Sequence, residues 1–319
     1  MPLSLKMRAV LLVARLSGGK PLHELPVAEA RRATVMRVGK SRAAAPVAGI
    51  ADRVIPGPAG DIPIRIYTPE GVGPFPLLVY FHGGGFVVGS IDGADMICRA
   101  LCHGAGCIVV SVGYHLAPEH TFPAAPDDCL AATRWAAGHA AELGADPARL
   151  AVAGDSAGGN LAAVTALRMR DEGGPPLRGQ LLIYPVADYH TPPTPSYLAN
   201  ADGYLLTRAM MIWFWGHYLN HAGEADDPHA APLRAPDLAG LPPALVITAE
   251  FDPLRDEGER YAERLQAAGV PAVVTRYDGM IHGFLLLADL FEESRRATNE
   301  ASAWLRQVTG ESHLTRRDA

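Results

Sequence analysis

Residues 154–160, GDSAGGN, constrain the fold of this chain more than any other stretch. The apolar run Leu150-Ala151-Val152-Ala153 precedes them, and the alanine-rich run 161–167 follows. The glycines therefore stand where strand patterning gives way to helical patterning. A strand that turns straight into a helix strains the residue at the turn and needs small neighbours so the backbone can fold back on itself. Gly154 and Gly158 flank Ser156 in the pattern G-x-S-x-G. Such a turn lifts the serine hydroxyl above a sheet, with a helix N-terminus beneath it that favours developing negative charge.

A second glycine cluster follows a second apolar run. Leu77-Leu78-Val79-Tyr80-Phe81 reads as a buried strand and leads into His82-Gly83-Gly84-Gly85-Phe86. Three consecutive glycines cost backbone entropy, and what they permit is close approach of backbone N–H groups to a ligand. In acyl transfer a carbonyl oxygen gains negative charge and needs such donors held ready. Flexible linkers favour glycine–serine mixtures, which this is not. His82, beside the turn, is expected to hold the loop by hydrogen bonds.

Together with Tyr114-His115-Leu116-Ala117-Pro118-Glu119 and the DPLRDEG run at 252–258, these motifs resemble the hormone-sensitive-lipase family of α/β-hydrolases, in its bacterial esterase branch. The resemblance spans about 62–305. It implies an α/β-hydrolase fold: a mostly parallel twisted sheet, helices on both faces, and a helical cap over the serine. The implied activity is that of a serine carboxylesterase with a Ser-His-Asp triad, acting on short- to medium-chain acyl esters. Gly83, Gly84 and Ala157 are expected to form its oxyanion hole. The family commonly has arginine where His115 stands, so different local packing is expected there.

A nucleophilic serine needs a base, and the base needs an orienting acid. The chain has 12 histidines. In this fold the partners follow the serine in the order acid, then histidine, on loops beyond later strands. Ala244 to Ala249 and Ala272 to Tyr277 read as strands, and ligands sit outside the carboxyl ends of such strands. The loops that follow carry Asp252 and His282, the expected acid and base. Pro253 keeps Asp252 extended at the strand tip, and the resemblance places the family's acid there too. Asp256 and Glu257 are expected to serve the N-terminal turn of the next helix, Glu250 to support the loop, and Asp278-Gly279 to form a turn. Asp155 should brace backbone N–H groups within the serine turn. His190, His217, His221 and His229 read as surface or cap histidines, and His313 lies in a polar tail.

The 319 residues suffice for one catalytic domain at 46–319, with N-terminal helices at 1–45 and an aromatic-rich insertion at about 187–241 that together form the cap. Within the insertion Met210, Met211, Trp213, Phe214 and Trp215 are expected near the roof of the pocket. Residues 1–42 read as helical with a break at 17–21. The first of these helices should pack through Leu5, Val10, Leu12, Val13 and Leu16. Its short apolar run makes a poor signal core and no membrane anchor. Residues 52–67 read as a hairpin and 126–141 as a helix. A net charge of −6 argues against nucleic acid as a partner. Cys98, Cys102, Cys107 and Cys129 lack metal spacing and read as buried thiols in a cytoplasmic protein. No motif calls for a metal or other cofactor. The family's habit of dimerising through its last sheet strand extends to 272–277, whose β-branched residues suit pairing. A competing reading is a binding protein on the same scaffold; the presence of His282 tells against it.

Overall fold

The computed structural model describes residues 3–16, 19–37, 44–288 and 290–310. Two helices, α1 (Leu5–Leu16) and α2 (Val27–Arg37), come first, followed by the hairpin β1 (Gly49–Gly57) and β2 (Gly60–Thr68). Then come β3 (Phe75–Phe81), α3 (Asp95–Ala105), β4 (Ile108–Val112), α4 (Ala124–Gly138), α5 (Ala140–Leu143), β5 (Ala145–Asp155) and α6 (Ala157–Asp171). The remainder is β6 (Gly179–Ile183), α7 (Pro195–Ala199), α8 (Arg208–Tyr218), β7 (Ala244–Phe251), α9 (Arg255–Ala267), β8 (Ala272–Ile281) and α10 (Glu292–Thr309).

The eight strands form one sheet in the order β1-β2-β4-β3-β5-β6-β7-β8, parallel from β4 through β8 and antiparallel where β2 meets β1 and β4. Period-two alternation sorts the central side chains into two cores. Leu77, Val79, Val110, Val152, Leu182 and Val246 face the layer of α4, α6 and α9. Leu78, Tyr80, Val109, Ala153, Ile183 and Ile247 face α3 and α10. Burial on both faces explains why β3 reads as an unbroken apolar run and why β4 and β6 are buried along their whole length. This is the α/β-hydrolase architecture the sequence implied.

Four features differ from the sequence reading. The outer face of α1 carries Leu5, Leu12 and Leu16 into solvent, while Met7 is its buried residue. Helical spacing identified the helix but could not say which stripe meets the protein. The 126–141 helix is two, α4 and α5, separated at His139. Both β7 and β8 run further than expected, to Phe251 and Ile281. Asp278-Gly279 is no turn: Gly279, at φ 75°, lies inside β8 where the register against β7 shifts. The last helical residues expected before position 43 lie outside the described residues.

Candidate active site

Ser156 stands between the end of β5 and the start of α6 at φ 57° and ψ −120°. Its N–H donates to the Ile183 carbonyl at 2.8 Å, and its carbonyl accepts from Val186 at 3.1 Å and Asn160 at 3.1 Å. These bonds hold a backbone conformation that costs on the order of 1–3 kcal/mol. The small neighbours are obligatory: a Cβ on Gly158 would overlap the Phe81 carbonyl oxygen.

His282 follows β8 directly, and Asp252 follows β7. The His282 Nε2 lies 3.0 Å from Ser156 Oγ, and its Nδ1 lies 2.7 Å from Asp252 Oδ2. Asp252 is fully buried, and its Oδ1 accepts the Leu254 N–H at 2.8 Å. A carboxylate facing Nδ1 favours the tautomer with the proton there, which leaves Nε2 as an acceptor for the serine hydroxyl. The Tyr184 ring packs against the imidazole at 4.7 Å, from a backbone held at φ 35°. Sequence reading missed this residue. Its only signal was its place at the carboxyl tip of a buried strand.

The glycine loop departs from expectation at one position. Gly83 donates its N–H to Asp155 Oδ1 at 2.9 Å, and Tyr80 Oη donates to the same oxygen at 2.7 Å. The Gly83 N–H is therefore not free for an oxyanion, because the adjacent carboxylate takes it. Asp155 braces the loop as its place in the serine turn suggested. Burial raises its carboxyl above the usual range, and the Tyr80 and Gly83 bonds draw it partly back. Among the described residues the N–H groups of Gly84, Gly85 and Ala157 have no protein acceptor. All three lie on the loop after β3 or the first turn of α6. Gly85, at φ 58°, lies directly beneath the Phe214 ring of α8, which leaves no room for a side chain.

His82 is buried and stacks on Tyr114 with ring centroids 4.4 Å apart, while Tyr114 Oη donates to the His82 carbonyl at 2.7 Å. Burial pushes its imidazole down to about 4, with the Gly83 carbonyl opposing. His115, in place of the family's arginine, lies with Nδ1 2.6 Å from Asp128 Oδ2, and its backbone N–H donates to the same oxygen at 2.9 Å.

The other acids have separate tasks. Glu250 Oε2 accepts the Gly279 N–H at 2.7 Å, tying the tip of β7 to the bulge before His282. Asp256 and Glu257, expected to serve their own helix, accept instead from Ser196 and Ala187 of the 187–241 segment. His221 is exposed, His217 packs on Trp213, and His313 lies outside the described residues. The 187–241 aromatics divide. Phe214 and Trp215 are buried, and Trp213 is half-buried. Arg31 of α2 was not singled out by sequence, yet it donates to the carbonyls of Val87 and Ala117, each at 2.9 Å, and pairs with Glu119 at 2.6 Å. Glu119 in its motif was the only sequence hint of a basic partner.

Among the described residues no trio of His, Cys, Asp or Glu is arranged to hold a metal ion, and no helix is long and apolar enough to cross a membrane.

Comparison with known proteins agrees with this fold. A family model for the α/β-hydrolase fold matches residues 78–286. The carboxylic ester hydrolase LipN of Mycobacterium tuberculosis is 48% identical over 274 residues, covering 84% of this chain and 71% of its own. The ethyl acetate hydrolase of Pseudomonas putida is 38% identical over 302 residues, covering 89% of this chain and 92% of its own. Among solved structures, an esterase from Pyrobaculum calidifontis superposes with a TM-score of 0.91 at 42% identity, over 96% of this chain and 99% of that one. A thermostable esterase from Pseudomonas putida gives 0.93 at 40% identity, over 97% and 98%. With its fold and much of its sequence shared along most of these lengths, the chain belongs to the hormone-sensitive-lipase-like esterase family of α/β-hydrolases.

Proposed function

We propose that the protein is a serine carboxylesterase that cleaves short- to medium-chain acyl esters through an acyl-enzyme. One observation carries this reading: Ser156 Oγ, His282 and Asp252 form a continuous hydrogen-bonded line, with Nε2 at 3.0 Å and Nδ1 at 2.7 Å from their partners. Beside it lie three backbone N–H groups without a protein acceptor among the described residues. His282 Nε2 takes the hydroxyl proton as Ser156 Oγ attacks the ester carbonyl carbon. Asp252 stabilises the resulting imidazolium. The carbonyl oxygen becomes an oxyanion facing the N–H groups of Gly84, Gly85 and Ala157, each worth roughly 2.7–4 kcal/mol of transition-state stabilisation. The imidazolium returns its proton to the departing alkoxide, and the alcohol leaves. Water then loses a proton to His282 while attacking the acyl carbon, and the carboxylic acid is released with Ser156 restored.

The residues of 187–241, with the N-terminal helices, serve in this reading as the cap that encloses the acyl group. The four cysteines are free and buried, which suits the reducing cytoplasm where we place the protein. Incubation with a fluorophosphonate tests the assignment. One label per chain, located on Ser156 and abolished by Ser156→Ala, is expected. A folded protein that takes no label would be a binding protein on a hydrolase scaffold.

A further inference from the structure

The loop that carries Asp252 is bonded at several points to the chain that follows β6. Glu257, fully buried in the first turn of α9, accepts the Ala187 N–H through Oε1 at 2.9 Å. Burial raises this carboxyl well above the ordinary range. Ser196 donates its N–H to Asp256 Oδ2 at 2.7 Å and its hydroxyl to the Pro253 carbonyl at 2.6 Å. In return the Asp256 N–H donates to Ser196 Oγ at 3.2 Å. Asn200, 4% exposed, donates from Nδ2 to the Asp252 carbonyl at 3.2 Å, with the Glu250 carbonyl further off at 3.5 Å.

The Asp252 residue is thus held from two sides. Its carboxylate is set by Leu254 and His282, and its main-chain carbonyl by Asn200 together with the Arg255 N–H, each at 3.2 Å. Rotation of that peptide would swing the carboxylate off the Nδ1–H axis, and a misplacement near 1 Å costs about 10²-fold in rate. We propose that Asn200 is a positioning residue of the reaction: by holding the Asp252 carbonyl, with Ser196 bracing Pro253, it makes the 187–241 segment part of what orients the acid–histidine pair. This rests on the triad reading above. Loss of Asn200 removes the side-chain donor to the Asp252 carbonyl, while Ser196 still ties the segment to Pro253 and Asp256.

The test uses the full-length protein, with active sites counted by fluorophosphonate titration so that unfolded molecules do not enter the rate. Asn200→Ala should lower kcat per titrated site by roughly 10- to 100-fold with KM within twofold. Should Asn200→Ala fail to fold, Ser196→Ala, which removes one hydroxyl, should lower kcat per titrated site in the same sense and leave KM unmoved. A kcat per titrated site within twofold of the parent in the alanine variants overturns the proposal. So does a loss confined to KM. A parent protein that takes no titrant overturns the triad reading and this proposal with it; a parent that titrates normally beside kinetically silent variants overturns the positioning role alone.

Discussion

At φ 57° the Ser156 backbone is fixed by the turn between β5 and α6, so the base must be delivered to it. In the proposed mechanism His282 and Asp252 therefore act as a unit with the serine. Ser156→Ala or His282→Ala should each lower kcat by about 10⁶-fold, and Asp252→Asn by about 10⁴-fold. Hydrolysis of a nitrophenyl ester by the purified variants measures this, and a near-parental rate for Ser156→Ala would refute the nucleophile. His82 has a different role, set by burial. Its imidazole titrates at about 4 in the folded chain against 6.5 when unperturbed. The unfolded chain therefore binds the extra proton between those values, and stability is lost as pH falls through that window. From pH 7 to pH 5 the parent should lose about 2 kcal/mol more than His82→Asn. Urea unfolding at the two pH values reads the difference, and parallel losses in both proteins would contradict it.

At the scale of elements, the loop after β3 is fixed from below by Asp155 and from above by α2 and α8. Arg31 reaches the loop through the Val87 carbonyl and the neighbouring motif through the Ala117 carbonyl. Its ion pair with Glu119 is solvent-exposed on one side, 30% and 56% for the two side chains, so the charge attraction itself contributes little. The backbone carbonyls matter more, because they give α2 a specific seat. Arg31→Ala should therefore release α2, exposing 24–37 to limited proteolysis, and lower stability by about 1 kcal/mol. Arg31→Lys, which cannot span two carbonyls and a carboxylate at once, should behave nearly as badly. Unchanged cleavage rates in both would show that α2 is held by its apolar contacts.

Across the whole molecule, two consequences follow from where the sheet ends and what covers its carboxyl edge. Each methylene buried in an enclosed acyl pocket adds roughly 0.8 kcal/mol until the space is filled, and overpacking then reverses the gain. With Phe214 seated on Gly85 beside the free N–H groups, kcat/KM should peak at acyl chains of about four to six carbons and fall for longer ones. A nitrophenyl ester series decides this; a maximum at long chains would mean an open groove. At the far edge of the sheet, β8 pairs with β7 on one side, and Val273 and Val274 are 52% and 36% exposed. An uncovered apolar edge strand is a pairing surface, so we expect a dimer through β8. Light scattering should give twice the chain mass for the parent and the single-chain mass for Val273→Lys; a monomeric parent at working concentration refutes it.

Residue order and local chemistry determined the serine turn and the alternation of strands and helices and, with the family resemblance, pointed to Ser156, Asp252 and His282 as the candidate triad. Each rests on short-range rules: glycine where no Cβ fits, apolar runs where both faces are covered, proline after the acid. The sheet order, the length of β7 and β8, and the outward face of α1 depended on partners far away in the chain. So did the use of the three glycines. Nothing near Gly83 in sequence says that its N–H will go to Asp155, since that bond exists only because β3 and β5 lie side by side in the sheet. Asn200 and Arg31 were silent for the same reason. A buried amide or a guanidinium gains its role from the carbonyls it meets, and which carbonyls those are is settled by tertiary packing, where desolvation makes each unpaired group costly.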